Sequence, residues 1–169
     1  MRLRIIICHI LLLCMPGVLS AQKEYVGKTD KLSVHPRILL PKGEEKELKK
    51  QIRKDAIWTD VHMALLEEAD SIIQQPLNEC VIIGWRLLDV SRDNLRRIFI
   101  LSYAYRMTGN VRFAKRAEAE MLQAASFPDW NPQHFLDVGE MTMALAIGYD
   151  WLYDRLAEKS KEIIATAII

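Results

Sequence analysis

The chain has 169 residues, half of them hydrophobic, and 23 basic residues balance 22 acidic ones. This balance lacks the bulk positive charge that is typical of nucleic-acid binding, so no nucleic-acid partner is expected. The length fits a single domain. Only seven glycines and six prolines are present, which favours helices.

The first 21 residues have the order of a secretory signal peptide. Arg2 and Arg4 precede an apolar run over 5–15, and small residues at 20–21 offer a cleavage site. The run is about half of the roughly 20 residues needed to cross a bilayer. We therefore predict a signal peptide at 1–21, a periplasmic or secreted protein, and no membrane attachment after cleavage.

Removing this segment leaves 148 of the 169 residues, with 21 basic against 22 acidic side chains and a net charge of −1. Cys80 is then the single cysteine, so no internal disulfide is possible. No motif for a cofactor or a metal ion is present; His35 and His62 lack partners at ligand spacing.

An extended N-terminal segment is predicted over 22–43, because residues before Pro36 and Pro41 avoid the helical region. Helices are predicted at about 44–54 and 59–74 from apolar periodicity. Residues 76–90 are ambiguous, and residues 81–85 within them could form a loop packed on the core.

A third helix is predicted from Ser91, a plausible N-cap, to Thr108. The fourth covers 111–125 and forms a helical hairpin with the third. Arg116 and Glu120 have the i,i+4 spacing of an ion pair, which is expected on the solvated side.

The most unusual segment is the helix predicted over 137–154. From Met141 to Tyr153 only Thr142 and Asp150 are clearly polar, which indicates a helix surrounded by protein. A last helix begins near Glu158 and reaches the end of the sequence without a cap, a pattern that predicts a truncated domain. The fold class is therefore all-α, arranged as a partial (α/α) toroid or as an α-solenoid.

Three segments carry a resemblance to a known family. His35-Pro36-Arg37-Ile38-Leu39 resembles the HPRLL motif of heparinase II/III-like polysaccharide lyases. Residues 104–110, AYRMTGN, resemble their AYxxTGD turn. The most specific match is 129–154, DWNPQHFLDVGEMTMALAIGYDWLYD, which is similar to a family signature almost throughout.

The resemblance implies that residues 44–169 form the N-terminal part of an (α/α) toroid, followed in full-length members by a β-sandwich. It implies β-elimination at a uronic acid of an acidic polysaccharide, such as a glycosaminoglycan or alginate. The family's catalytic Asn or His and Tyr lie downstream of the signature, after Ile169 in this numbering. We therefore expect the isolated chain to be inactive, and the missing toroid and sandwich regions to be its partners.

Four residues near the start of the apolar helix are candidates for substrate binding: Trp130, Asn131, His134 and Glu140. Trp130 either stacks on a sugar ring or caps the core, and Asn131 either contacts sugar or forms a turn with Pro132. His134 could bond to hydroxyl or carboxylate groups. Glu140 could meet substrate, a basic residue or the helix N-terminus.

Other polar residues are expected to have structural roles. Asp137 is predicted to be a helix N-cap, and Asp150 to form a structural hydrogen bond. Two groups of basic residues are expected on solvated faces: Arg92, Arg96 and Arg97, and Lys49, Lys50, Arg53 and Lys54. For the three arginines on the third helix, the alternative is a role in attracting an acidic glycan.

The alternative function is an exported TPR-like helical module that binds a glycan or peptide, since 103–124 somewhat resembles a TPR hairpin. A solenoid of this type repeats at about 34 residues, and nothing near 137–158 restates the pattern. A third possibility is a truncated gene product without independent function.

Overall fold

The computed structural model describes residues 34–169, so the predicted signal peptide and most of the predicted extended segment lie outside the described residues. The described part is 69% helical and contains no strand, which confirms the all-α prediction. Its helices are α1 (Glu45–Lys54), α2 (Ala56–Gln74), α3 (Leu88–Thr108), α4 (Val111–Ala125), α5 (Phe135–Leu152) and α6 (Glu158–Ile168).

Three helices begin earlier than predicted, and α5 does so by two residues, at Phe135. Helix α2 begins at Ala56 because the Asp55 carboxylate caps it, accepting hydrogen bonds from the amides of Ile57 and Trp58. Helix α3 begins at Leu88, so Ser91 is not its N-cap. The Ser91 Oγ atom instead lies 3.0 Å from the carbonyl oxygen of Leu88, one turn earlier in the same helix.

Helices α3 and α5 form the centre of the fold. Each packs against the other, and α3 also contacts α1, α2 and α4. Gly148 permits the close approach of α5, since a Cβ atom there would lie 2.5 Å from Met121 Sδ and 2.6 Å from Ile98 Cγ2. Met121 and Ile98 belong to the main hydrophobic core.

Helix α5 is not buried all round, contrary to the prediction from its apolar sequence. Met141 and Leu145 are fully buried, whereas Met143 is 50% exposed. Its neighbours α3, α4 and α6 leave part of its surface uncovered within residues 34–169.

The ion pair between Arg116 and Glu120 is present, but its predicted position on the solvated side is wrong. Glu120 is completely buried, and Arg116 Nη2 lies 2.7 Å from its carboxylate. Arg116 also donates to the carbonyls of Ile73 and Gln75 at the end of α2. A buried carboxylate thus orients an arginine that caps a neighbouring helix.

The segment 34–43 is a series of bends and turns rather than an extended chain. It folds onto the C-terminal part of α5 through Asp150. The carboxylate of Asp150 accepts hydrogen bonds from the backbone amides of Arg37 and Ile38, and it lies 2.6 Å from His35 Nδ1. The predicted structural role of Asp150 is confirmed.

Among residues 34–169, no helix combines the length and the apolar character that crossing a membrane requires.

Candidate functional site

A tight turn before α3 presents an exposed tryptophan. Ile83 and Arg86 close the turn through two backbone hydrogen bonds of 2.9 and 3.2 Å. Gly84 has φ of 65°, a left-handed conformation that favours glycine. Trp85, at the tip, is 86% exposed. Residues 81–85 are therefore not packed on the core, which was one possibility for this ambiguous segment.

A surface cavity of about 440 Å³ lies between this turn and the N-terminus of α5. Trp85 and Arg86 line it from the turn, and Gln133 and His134 line it from the loop before α5. We call it the Trp85 cavity. Its lining joins one large aromatic surface to an amide, an imidazole and a guanidinium group.

A buried carboxylate lies behind the cavity. Asp137 is completely buried in the first turn of α5 and is not the N-cap, a position that His134 occupies. Its Oδ2 atom accepts hydrogen bonds of 2.8 Å from the amide of Leu87 and from Nδ2 of Asn131. The predicted capping role is wrong, because Asp137 connects α5 to the start of α3 instead.

The second oxygen of Asp137 faces Arg86 and His134, which line the cavity. Oδ1 lies 3.6 Å from His134 Nδ1 and 3.7 Å from Arg86 Nε. These three atoms are buried and have no hydrogen-bond partner within the described residues. Asp137 therefore supports both side chains electrostatically from the protein side.

Burial alone would raise the pKa of Asp137, since it removes water from the charged form. The hydrogen bonds from Asn131 and Leu87 and the charges of His134 and Arg86 outweigh burial, and the pKa lies below its ordinary value. Asp137 is therefore ionised at neutral pH and supplies a fixed negative charge behind the cavity.

Arg86 keeps its outer nitrogens available. Its side chain is about one-third exposed, and neither terminal nitrogen forms a hydrogen bond to another residue in 34–169. A guanidinium group in this state can bind a carboxylate with two parallel hydrogen bonds.

Asn131, predicted to bind substrate or to form a turn, does form the turn. It has φ of 57°, a left-handed conformation that asparagine tolerates, and its carbonyl accepts a 2.8 Å hydrogen bond from the amide of His134. Its side-chain amide donates to the carbonyl of Trp85 at 2.7 Å and to Asp137. Asn131 thus fixes the Trp85 turn to α5.

The other two candidates lie outside the cavity lining. Trp130 is buried in the core, and its indole Nε1 donates to the carbonyl of Ala124 at the end of α4. Glu140, mostly buried, accepts a 2.6 Å hydrogen bond from Ser91 Oγ and lies 3.3 Å from Arg92 Nε. Of the alternatives for Glu140, the structure places it beside a basic residue.

The predicted solvated face of Arg92, Arg96 and Arg97 holds for only two of them. Arg97 is buried, contacts Asp93 at 2.5 Å and donates to the carbonyl of Pro76 at 2.6 Å. Helix α3 thus directs this side chain toward the segment that follows α2, where the Pro76 carbonyl also accepts from Arg116.

No group of three or more His, Cys, Asp or Glu side chains in residues 34–169 is arranged to hold a metal ion. Trp85 and Arg86 were not predicted as site residues, and Gln133 was noted only as part of the family signature. The signal for the first two was the glycine directly before Trp85, which indicates a tight turn that exposes its neighbours.

Protein-family models give no match to this chain, and neither do the curated proteins.

Proposed function

We propose that this chain is the N-terminal, substrate-receiving part of an exported polysaccharide lyase, and that the Trp85 cavity binds a uronate residue of an acidic polysaccharide. The observation that carries the proposal is the pairing of an exposed indole with an unengaged guanidinium in one cavity. The toroid arrangement of the helices and the heparinase II/III-like family are parts of the same proposal.

Trp85 supplies a large, rigid and apolar surface at the rim of the cavity. A pyranose ring has one face of C–H groups that can lie on such a surface. Because the Asn131 amide holds the carbonyl of Trp85, the backbone of the turn does not have to be ordered when sugar binds. A preordered backbone lowers the entropy that is lost on binding.

Arg86 and His134 supply the recognition of charge. Arg86 can bind the uronate carboxylate through its outer nitrogens, while its Nε faces Asp137. His134 can donate a further hydrogen bond from the ring nitrogen that does not face Asp137. A neutral sugar would leave the guanidinium without a partner, so acidic sugars are favoured.

Cleavage needs more than this cavity. A base must remove the proton beside the uronate carboxylate, and another group must offset the charge that develops there. The resemblance assigns these steps to residues downstream of the signature. Residues 34–169 therefore contribute binding and orientation, and we expect the chain alone to bind without cleaving.

The test is calorimetric titration of the purified chain with uronate oligosaccharides prepared from heparan sulfate and from alginate. Trp85→Ala should weaken binding by about tenfold or more, since it removes the aromatic surface on which the sugar ring would lie. Trp58→Ala is the matched control, because Trp58 is also exposed, at 47%, but lies on α2. Equal affinity of the two variants would refute the assignment of the cavity.

The cleavage part of the proposal is tested separately. The unsaturated uronate product absorbs ultraviolet light. The absorbance is therefore followed while the chain is incubated with each polysaccharide. Absence of product with retained binding is expected. Product formation by the chain alone would contradict the placement of the catalytic groups downstream, and tight binding of a peptide in place of a glycan would favour the TPR-like alternative.

A further inference from the structure

A second cavity lies at the other end of α3. It has a volume of about 310 Å³ and is lined by Lys49, Ile52, Arg53, His62 and Met107. We call it the His62 cavity. The lining residues come from α1, α2 and α3, so three helices define it.

The two cations of this cavity have no counter-ion in the described structure. Lys49 and Arg53 are four residues apart on α1 and therefore lie on the same side of the helix. Neither forms an ion pair or a side-chain hydrogen bond with any residue in 34–169, whereas the adjacent Lys50 pairs with Glu47. Two unpaired positive charges at one cavity favour a negatively charged ligand.

The floor of the cavity is closed and apolar. Ile52 and Met107 are buried and belong, with Tyr103, to a small hydrophobic cluster. Water is thus excluded from one side, which strengthens the interaction between the cations and an anion above them.

His62 adds a fixed hydrogen-bonding group. Its Nδ1 atom lies 2.9 Å from the hydroxyl of the buried Tyr103. Burial and the charge of Lys49 lower the pKa of His62, and burial raises the pKa of Tyr103, so both groups are neutral at neutral pH. A neutral ring that accepts the phenol hydrogen at Nδ1 carries its own hydrogen on Nε2 and can donate it.

We propose that the His62 cavity binds a single oxyanion group through Lys49, Arg53 and the imidazole of His62. The ligand class is a sulfate, phosphate or carboxylate, whether free or carried by a sugar. The cavity lies apart from the Trp85 cavity: Tyr103 and Leu88 are separated along α3 by about 22 Å at the helical rise. The site therefore does not depend on the proposed lyase function.

The experiment is an NMR titration of the His62 imidazole signals with inorganic sulfate, at ionic strength held constant with chloride. Lys49→Gln/Arg53→Gln removes the two cations of the cavity. Lys50→Gln/Lys54→Gln is the matched control, since it removes the same charge at the same spacing, one residue further along α1.

A saturable shift is expected in the unmodified chain and in the control, with affinity about fivefold or more lower in Lys49→Gln/Arg53→Gln. Equal weakening in both double variants, or a shift that never saturates, would overturn the proposal. Parallel titrations with inorganic phosphate and with glucuronate distinguish the sources of the oxyanion.

A second variant and a second measurement complete the test. His62→Gln should weaken sulfate binding measured by calorimetry, which needs no histidine signal. Trp85→Ala should leave sulfate binding unchanged, so failure of the Trp85 cavity and failure of the His62 cavity are separate results. Unchanged calorimetric affinity in His62→Gln would contradict a role for the imidazole.

Discussion

Each end of α5 has a buried aspartate, but the carboxylates of these two residues differ in their hydrogen bonds. Both oxygens of Asp150 have partners: Oδ1 is bound by His35 and Oδ2 by two backbone amides. At the other end, Oδ2 of Asp137 is bound, whereas Oδ1 faces Arg86 and His134 at 3.6–3.7 Å without a hydrogen bond.

This difference separates a structural carboxylate from one that supports a site. The Asp150 end is covered by the 34–43 segment, and its contacts close the fold. The Asp137 end opens onto a cavity with an exposed indole, and its charge is shared with side chains that can still bind a ligand. A buried charge with incomplete hydrogen bonds costs stability, which proteins commonly accept at functional sites.

The largest loss of stability is expected at the Asp150 end of α5, which the 34–43 segment covers. Asp150→Ala should lower the free energy of unfolding by about 3 kcal/mol, because it leaves His35 and two backbone amides without their acceptor. Chemical denaturation measures this loss. Asp154→Ala is the control, since Asp154 is exposed and pairs only with Lys42 in the described structure. A similar loss of stability in both variants would contradict the structural role assigned to Asp150.

The middle of α5 offers a second contrast between two glycines. Gly148→Ala should destabilise by about 1–3 kcal/mol through overpacking, since the branched Ile98 side chain cannot easily move away. Gly139→Ala should stabilise by up to about 1 kcal/mol, because no atom lies within 4 Å of the added methyl group and alanine favours helix. Thermal unfolding of both variants checks the opposite signs.

At the Asp137 end of α5, which opens onto the Trp85 cavity, a smaller loss of stability should accompany weaker binding of uronate. Asp137→Asn should lower the free energy of unfolding by about 1–2 kcal/mol. The amide retains one acceptor oxygen but replaces charged hydrogen bonds with neutral ones. It should also weaken binding of uronate oligosaccharides by releasing Arg86 and His134 from their common support. Unchanged binding in a folded variant would show that Asp137 has only a structural role.

The smallest expected effect is the contribution of Asp137 ionisation to the pH dependence of stability. Its pKa in the folded chain is below the unfolded value of about 3.9, so the folded state releases this proton more readily. The resulting stability is fully present above that unfolded value and is lost as the pH falls through the folded pKa. Asp137→Asn should remove this part of the acid dependence, measured by denaturation at a series of pH values.

The helices were predictable because their apolar spacing, the prolines and Gly109 are local signals. The Trp85 cavity was not, because its two halves lie far apart in the sequence and meet only through Asp137 and Asn131. Local spacing likewise identified the pair of Arg116 and Glu120 but could not show that α2 covers it. The role of Asp150 was expected because a lone acid in an apolar helix needs a partner.

The most direct test of the open end uses the four tryptophans as probes. Their indole N–H signals can be followed by NMR while the chain is titrated with an acidic uronate oligosaccharide. Trp130 and Trp151 donate to backbone carbonyls inside the protein, and Trp58 lies exposed on α2. We predict a saturable shift of the Trp85 signal with the other three nearly unchanged; an unmoved Trp85 signal, or a larger shift at Trp58, would contradict the account.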